Sequence, residues 1–204
     1  MVAQPETLGL AQHLLCAVPQ LQDPNFKRSV ILMLEHGEDG ALGLVLNNPM
    51  PTRIAEVAQA LELVWRGDPE QAVRLGGPVE PTRGWFVHDQ DAWDPLAREM
   101  VPQLHVTTSL DPVREAGNQE FGGAGERFMF LLGYAGWSGG QLEAEIGAGS
   151  WVVVPVKGAA DEERAGVDAD FIFDEDPDDM WSAALHSIGV DPTRLVGMRG
   201  GAMH

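Results

Sequence analysis

Residues 28–47 read RSVILMLEHGEDGALGLVLN. Two apolar, β-compatible runs, Arg28 to His36 and Ala41 to Asn47, flank the tetrapeptide Gly37-Glu38-Asp39-Gly40. Its Asp-Gly pair suits a tight turn with positive φ, so the stretch predicts a β-hairpin. A third apolar run, Leu10 to Val18, lies just upstream. Further strand-like runs follow at Gly84 to His88, Gln103 to Thr108, Arg127 to Leu132 and Trp151 to Val156. Between them, Thr52 to Arg66 places Ile54, Val57, Ala58, Leu61 and Val64 on one helical face, with Thr52 as N-cap and Gly67 as the stop. Asp111-Pro112 opens a short helix, and Asp176-Pro177 opens another that runs to about Ser187 and closes at Gly189. Strands come both in pairs and separated by helices, without regular βαβ alternation. The pattern predicts an α+β fold: one domain over residues 1–204, with a mixed, mainly antiparallel sheet curled towards a barrel and several short helices. It argues against a doubly wound nucleotide-binding fold.

The chain has 204 residues, 44% of them hydrophobic and 22% charged, enough apolar content for a real core. Its formal charge is −18. Nucleic acids are polyanions whose recognition draws on clustered Lys and Arg, and the one adjacent basic pair is Lys27-Arg28. Direct DNA or RNA binding is therefore disfavoured, as is attachment to an anionic membrane. The acidity is uneven: residues 161–179 hold ten acids and one base, Arg164. Around residues 158–170 the chain reads as a mobile acidic loop. No basic n-region opens the chain, and the longest aliphatic run, Val30 to Leu34, is far short of a membrane span. These features predict a soluble cytoplasmic protein. The single cysteine, Cys16, lies in an apolar strand and reads as a small buried residue.

Several short motifs invite chemistry. Gly136-Trp137-Ser138-Gly139-Gly140 matches G-x-S-x-G, the nucleophile elbow of hydrolases, with a strand before it and His186 downstream. The same residues read S-x-x-Q, a capping box in which Ser138 and Gln141 satisfy free amides at a helix start, and this reading is preferred. Asp174, Asp176 and Asp178 alternate like the opening of a calcium loop. The pattern then fails, because Asp179 stands where glycine is needed and Leu185 where a bidentate carboxylate is needed. His36, His88, His105 and His186 are scattered with no metal-ligand spacing, so no metal is expected. Leu75-Gly76-Gly77-Pro78-Val79 and Gly133-Tyr134-Ala135-Gly136-Trp137 read as glycine-rich turns beside strands. Neither has phosphate-loop spacing, and close backbone packing is preferred over ligand approach for both.

The segments Leu14-Leu15-Cys16-Ala17-Val18-Pro19, Asp23-Pro24-Asn25-Phe26-Lys27-Arg28-Ser29-Val30-Ile31, Gly76-Gly77-Pro78-Val79, Arg83-Gly84-Trp85-Phe86-Val87-His88 and Leu132-Gly133-Tyr134-Ala135-Gly136-Trp137, in this order, resemble the YqgE/AlgH family. The likeness spans residues 8 to about 200. It implies a small bacterial protein with one α+β domain containing a curled sheet, no established enzymatic activity and no catalytic or cofactor residue to carry over; no cofactor is expected. The family's name is associated with a transcriptional-regulator role, notably in control of alginate production. The resulting expectation is a regulatory or interaction protein without catalysis, acting through a protein or small-molecule partner. The alternative is a small-ligand binder or an unrecognised enzyme with a site at the glycine-rich turns. Its candidate residues are Arg28, Asn47, Gly76, Gly77, His88, Gln141 and Glu143, with Trp137 as an apolar wall.

Overall fold

The computed structural model describes residues 9–21, 23–90, 96–111, 120–158 and 164–197. The 28–47 hairpin forms as its sequence dictates: β2 (Val30–Gly37) and β3 (Gly40–Val45) pair antiparallel, closing with Gly37 opposite Gly40. Gly40 takes the positive φ, 141°, and a Cβ there would collide with the Trp137 carbonyl. A bulge between Met33 and Glu35 re-aims the end of β2.

This hairpin is the centre of a larger sheet. β1 (His13–Ala17) runs antiparallel to β2 and, on its other edge, to β12 (Trp151–Pro155). β3 pairs with β11 (Phe128–Ser138), β11 with β7 (Val79–His88), β7 with β9 (Leu104–Thr107), and β9 with β8 (Arg98–Val101). β6 (Ala72–Leu75) lies parallel to β11 and antiparallel to β4 (Pro49–Arg53), while β5 (Val64–Trp65) and β10 (Glu120–Phe121) form a separate parallel pair. The result is an α+β fold whose ten-stranded sheet is mixed, mainly antiparallel and not closed into a barrel.

Unbroken runs such as Val30 to Leu34 lack polar alternation because both faces of these strands are covered. Val30, Leu32 and Leu34 join Leu14 and Cys16 in one cluster, under α3 (Ala169–Asp174) and α4 (Met180–Ser187). Ile31 and Met33 join Leu15 and Ala17 in a second cluster, under α2 (Gln141–Gly147). A third, aromatic cluster holds Phe86, Phe121, Phe128 and Phe130 with Ile54 of α1 (Ile54–Ala60). The chain ends its described part in α5 (Pro192–Gly197). No helix of the described residues is long and apolar enough to cross a membrane.

Four expectations are corrected. The helix predicted over 52–66 is only α1: Arg53 is its N-cap and Thr52 belongs to β4. It stops because Glu62 turns left-handed, at φ 59°, and the Leu63 and Glu62 amides return to the Ala58 and Gln59 carbonyls. This closing motif sends Leu63 inward and leaves Leu61 and Val64 exposed, so the face read from sequence is buried at Ile54 and Ala58, with Val57 packed beside them, but not at its last two positions. Second, Gly133 to Trp137 is no turn but the middle of β11. Gly133, at φ 72°, is a bulge where β11 changes neighbour from β6 to β3. Third, the strand expected from Gly84 begins at Val79. Fourth, the 176–187 helix starts at Met180, after an Asp176-centred turn; its end at Gly189, with φ 77°, is as expected. The helix expected at Asp111-Pro112 falls, past Asp111, outside the described residues, as do 159–163 of the acidic stretch. Beyond that gap, Val167 is buried and bridges to Val156, and the Asp168 carboxylate accepts the Phe171 amide at 3.0 Å to cap α3.

Candidate functional site

Asn47 is where the end of the hairpin is tied. Its Oδ1 accepts the Val30 amide at 2.8 Å and its Nδ2 donates to the Arg28 carbonyl at 2.9 Å. This clip holds Arg28 in a left-handed conformation, φ 53°, and turns its side chain over the Trp181 ring at 5.4 Å. Trp181 is fixed from below, because its indole N–H donates to the Ala17 carbonyl at 2.8 Å. Beneath the same corner Arg74 donates to the Leu46 carbonyl at 2.7 Å. Burial of that guanidinium pulls its pKa down to about 10, against the opposing charge of Asp176.

Together these elements wall a cavity of about 500 Å³, lined by Lys27, Arg28, Asn47, Asp179, Trp181 and Ser182 among others. Its floor is an aromatic ring and its rim carries cations on the β2 side and carboxylates, Asp178 and Asp179, on the α4 side. That arrangement can hold a ligand or peptide bearing both charge signs against an apolar face.

The other sequence candidates lie elsewhere. Gly76 and Gly77 occupy the seam of the sheet: Gly76 donates to the Leu132 carbonyl at 2.7 Å and accepts the Val45 amide at 2.8 Å. A Cβ on Gly76 would strike the Gly133 carbonyl, and one on Gly77 the Tyr134 backbone. Close backbone packing is what these glycines provide. His88 is buried at 0% exposure, stacked on His105 at 5.4 Å and on Phe128 at 5.9 Å. Trp137, Gln141 and Glu143 gather at α2. There Glu145 accepts both the Trp137 indole, at 3.0 Å, and the Trp151 indole, at 2.8 Å. Glu143 meets Nε2 of His36 at 3.1 Å. Trp137 also borders a second cavity, of about 490 Å³, beside Tyr134, Glu35 and Asp39. Arg28 and Asn47 are thus brought together; the remaining candidates fall into the seam, the core and the α2 region.

Sequence reasoning missed Trp181, Ser182 and Thr193 as partners of Arg28, because some 150 residues separate them from it. The one usable signal was the adjacent Lys27-Arg28 pair. At Ser138 both the amide (3.1 Å) and the hydroxyl (3.2 Å) donate to Gln141 Oε1, while Gly140, at φ 76°, is the N-cap of α2. The helix-start reading of this motif is thereby corrected in detail: Gln141 reaches back to Ser138, but Ser138 does not itself cap the helix. The thiol of Cys16 is fully buried, which pushes its pKa up to about 12.

Residues 14–193 match the family model described as AlgH-like, a domain of unknown function. A UPF0301 protein of Myxococcus xanthus is 41% identical over 94% of this chain and 98% of its own length. A second UPF0301 protein, from Magnetococcus marinus, is 41% identical over 92% of this chain and 93% of its own. Among solved structures, the AlgH protein from Pseudomonas aeruginosa superposes with a TM-score of 0.67 at 31% identity, covering 98% of this chain and all of that one. A Corynebacterium diphtheriae protein shares the fold, with a TM-score of 0.66 at 22% identity over 90% of each chain. On the family match and the full-length relatives, the chain belongs to the AlgH-like (UPF0301) family, whose members are uncharacterised.

Proposed function

We propose that the chain is a cytoplasmic regulatory or interaction protein without catalysis, which influences transcription indirectly, through a protein or small-molecule partner. The observation that carries this reading is the placement of its few cations. Among the described residues Arg53, Arg66, Arg83, Arg98, Arg127 and Arg194 each stand in an ion pair with an acid, and Arg74 is buried beneath the hairpin corner. Cations each set beside an acid present little net positive charge to a polyanion as long as a nucleic acid, and the −18 charge repels it at long range. The cavity at Arg28, with an aromatic floor and both charge signs at its rim, supplies a place for the partner instead.

The test is fluorescence anisotropy of labelled genomic DNA fragments across a salt series. The expected result is no binding even at low salt. Tight binding that weakens steeply with added salt overturns the indirect route and puts regulation on direct contact.

A further inference from the structure

Trp85 of β7 is buried to 8% exposure, and its indole N–H has no hydrogen-bond partner. Among the described residues the other buried indoles are satisfied: Trp137 and Trp151 by Glu145, Trp181 by the Ala17 carbonyl. An indole nitrogen donates and cannot accept, so only an acceptor atom can answer it. Buried donors left alone are rare and call for an explanation.

Trp85 walls a cavity of about 330 Å³ together with Arg83, Arg98, Thr108 and Ser109. The Arg83 guanidinium carbon sits over the Trp85 ring, 4.8 Å from its centroid, and 5.9 Å from that of the Tyr134 ring, which stands edge-on to Trp85. A guanidinium held over a ring in this way keeps N–H groups available for an acceptor. The counterions are loose: Arg83 meets Glu80 at 3.2 Å and Arg98 meets Glu35 at 3.4 Å, with all four side chains between 43% and 67% exposed. Exposed pairs of this kind hold their partners weakly and exchange them readily.

We infer that this cavity is an oxyanion-binding site, in which a small carboxylate or phosphate is held by the guanidinium groups of Arg83 and Arg98 and accepts the orphan indole N–H of Trp85. The two guanidinium groups demand negative charge, and the indole demands an oxygen lone pair; an oxyanion satisfies both. The volume suits a small acid and excludes a nucleotide cofactor. In binding, the acid displaces the Glu80 and Glu35 carboxylates, and the ring moves so that its buried N–H meets one of the acid's oxygens. The site is independent of the Arg28 cavity, so either can fail without the other.

The test follows the indole N–H resonances of ¹⁵N-labelled protein by NMR, with that of Trp85 assigned through Trp85→Phe. Inorganic phosphate and succinate are added in separate titrations, and sodium chloride of matched ionic strength serves as reference. The expected result is a saturable displacement of the Trp85 resonance by at least one of the two acids, and the more effective acid identifies the ligand class. The apparent affinity should fall by about tenfold or more in the Arg83→Gln/Arg98→Gln double variant, whose replaced side chains are exposed and leave the core intact. A Trp85 resonance that neither acid moves overturns the inference. So does a displacement that chloride reproduces, or one that persists unchanged in the double variant.

Discussion

Asp89 shows how much of a junction can rest on one side chain. Its Oδ2 accepts Nε of Arg127 at 2.8 Å, and its Oδ1 accepts the Arg127 amide at 3.0 Å and the Gln90 side chain at 2.6 Å. Arg127 continues to Asp170 at 2.6 Å, tying the end of β7 and the start of β11 to α3. Burial pushes the Asp89 pKa up, but the hydrogen bonds and charge of Arg127 outweigh it, so the carboxyl sits below its ordinary value of 3.8. A carboxylate depressed in the folded state stabilises fully above its unfolded pKa, and that stability is lost as pH falls through the folded value. Asp89→Asn should cost about 1–3 kcal/mol at neutral pH. It should also flatten the loss of stability as the pH falls below about 4, as followed by urea denaturation at each pH; an unchanged acid limb would exclude Asp89 from that role. The residue-scale signals were partly readable in advance. Lys27-Arg28 announced itself by adjacency, whereas nothing near Asp89 in the chain points to Arg127, 38 residues on.

At the scale of the element, α2 is anchored by the buried Leu142 and by Glu145, which reaches past its own helix to the indoles of β11 and β12. Trp137 and Trp151 are only 7% and 5% exposed, so removing the shared acceptor strands two donors away from water. Glu145→Ala should destabilise the protein by about 2–4 kcal/mol in urea denaturation, while Glu145→Gln, which keeps an acceptor oxygen, should recover most of the loss. Equal effects from the two substitutions would mean that volume, not the hydrogen bonds, holds the helix. Hairpin, strand cores and the Gly189 stop were legible because each follows from local turn chemistry or an apolar run. The length of α1 was not. Glu62 carries no intrinsic stop signal, and it adopts its left-handed turn because Leu63 gains burial beside Ile54 and Val73.

The whole molecule carries a charge of −18, half of it within residues 161–179. Self-repulsion of that size opposes compaction, and salt screens it over roughly 10 Å at 0.1 M. The described ion pairs would weaken with the same salt, but most are exposed and contribute little. Repulsion therefore decides the sign: raising sodium chloride from low to physiological concentration should raise the melting temperature by a few degrees, measured by circular dichroism. A fall on adding salt would show that the ion pairs outweigh the repulsion.

What the amino-acid sequence determined by itself is the α+β class, the 28–47 hairpin, the apolar strands and the acidic balance. All of these depend on residue type and near-neighbour spacing, which the chain carries locally. Tertiary structure alone decided that the second glycine-rich segment is a bulged strand rather than a turn, since β11 needs a neighbour on each side before Gly133 has a reason to bend. It alone set Arg28 over Trp181 and Arg83 over Trp85 at the mouths of two cavities. Arg28 and Trp181 lie far apart in the chain and meet only when helix and sheet pack. Trp85 is two residues from Arg83, but its N–H became an orphan only when β9 and β11 closed around it. Sites are made of distances between elements, and those distances are not written in any one segment.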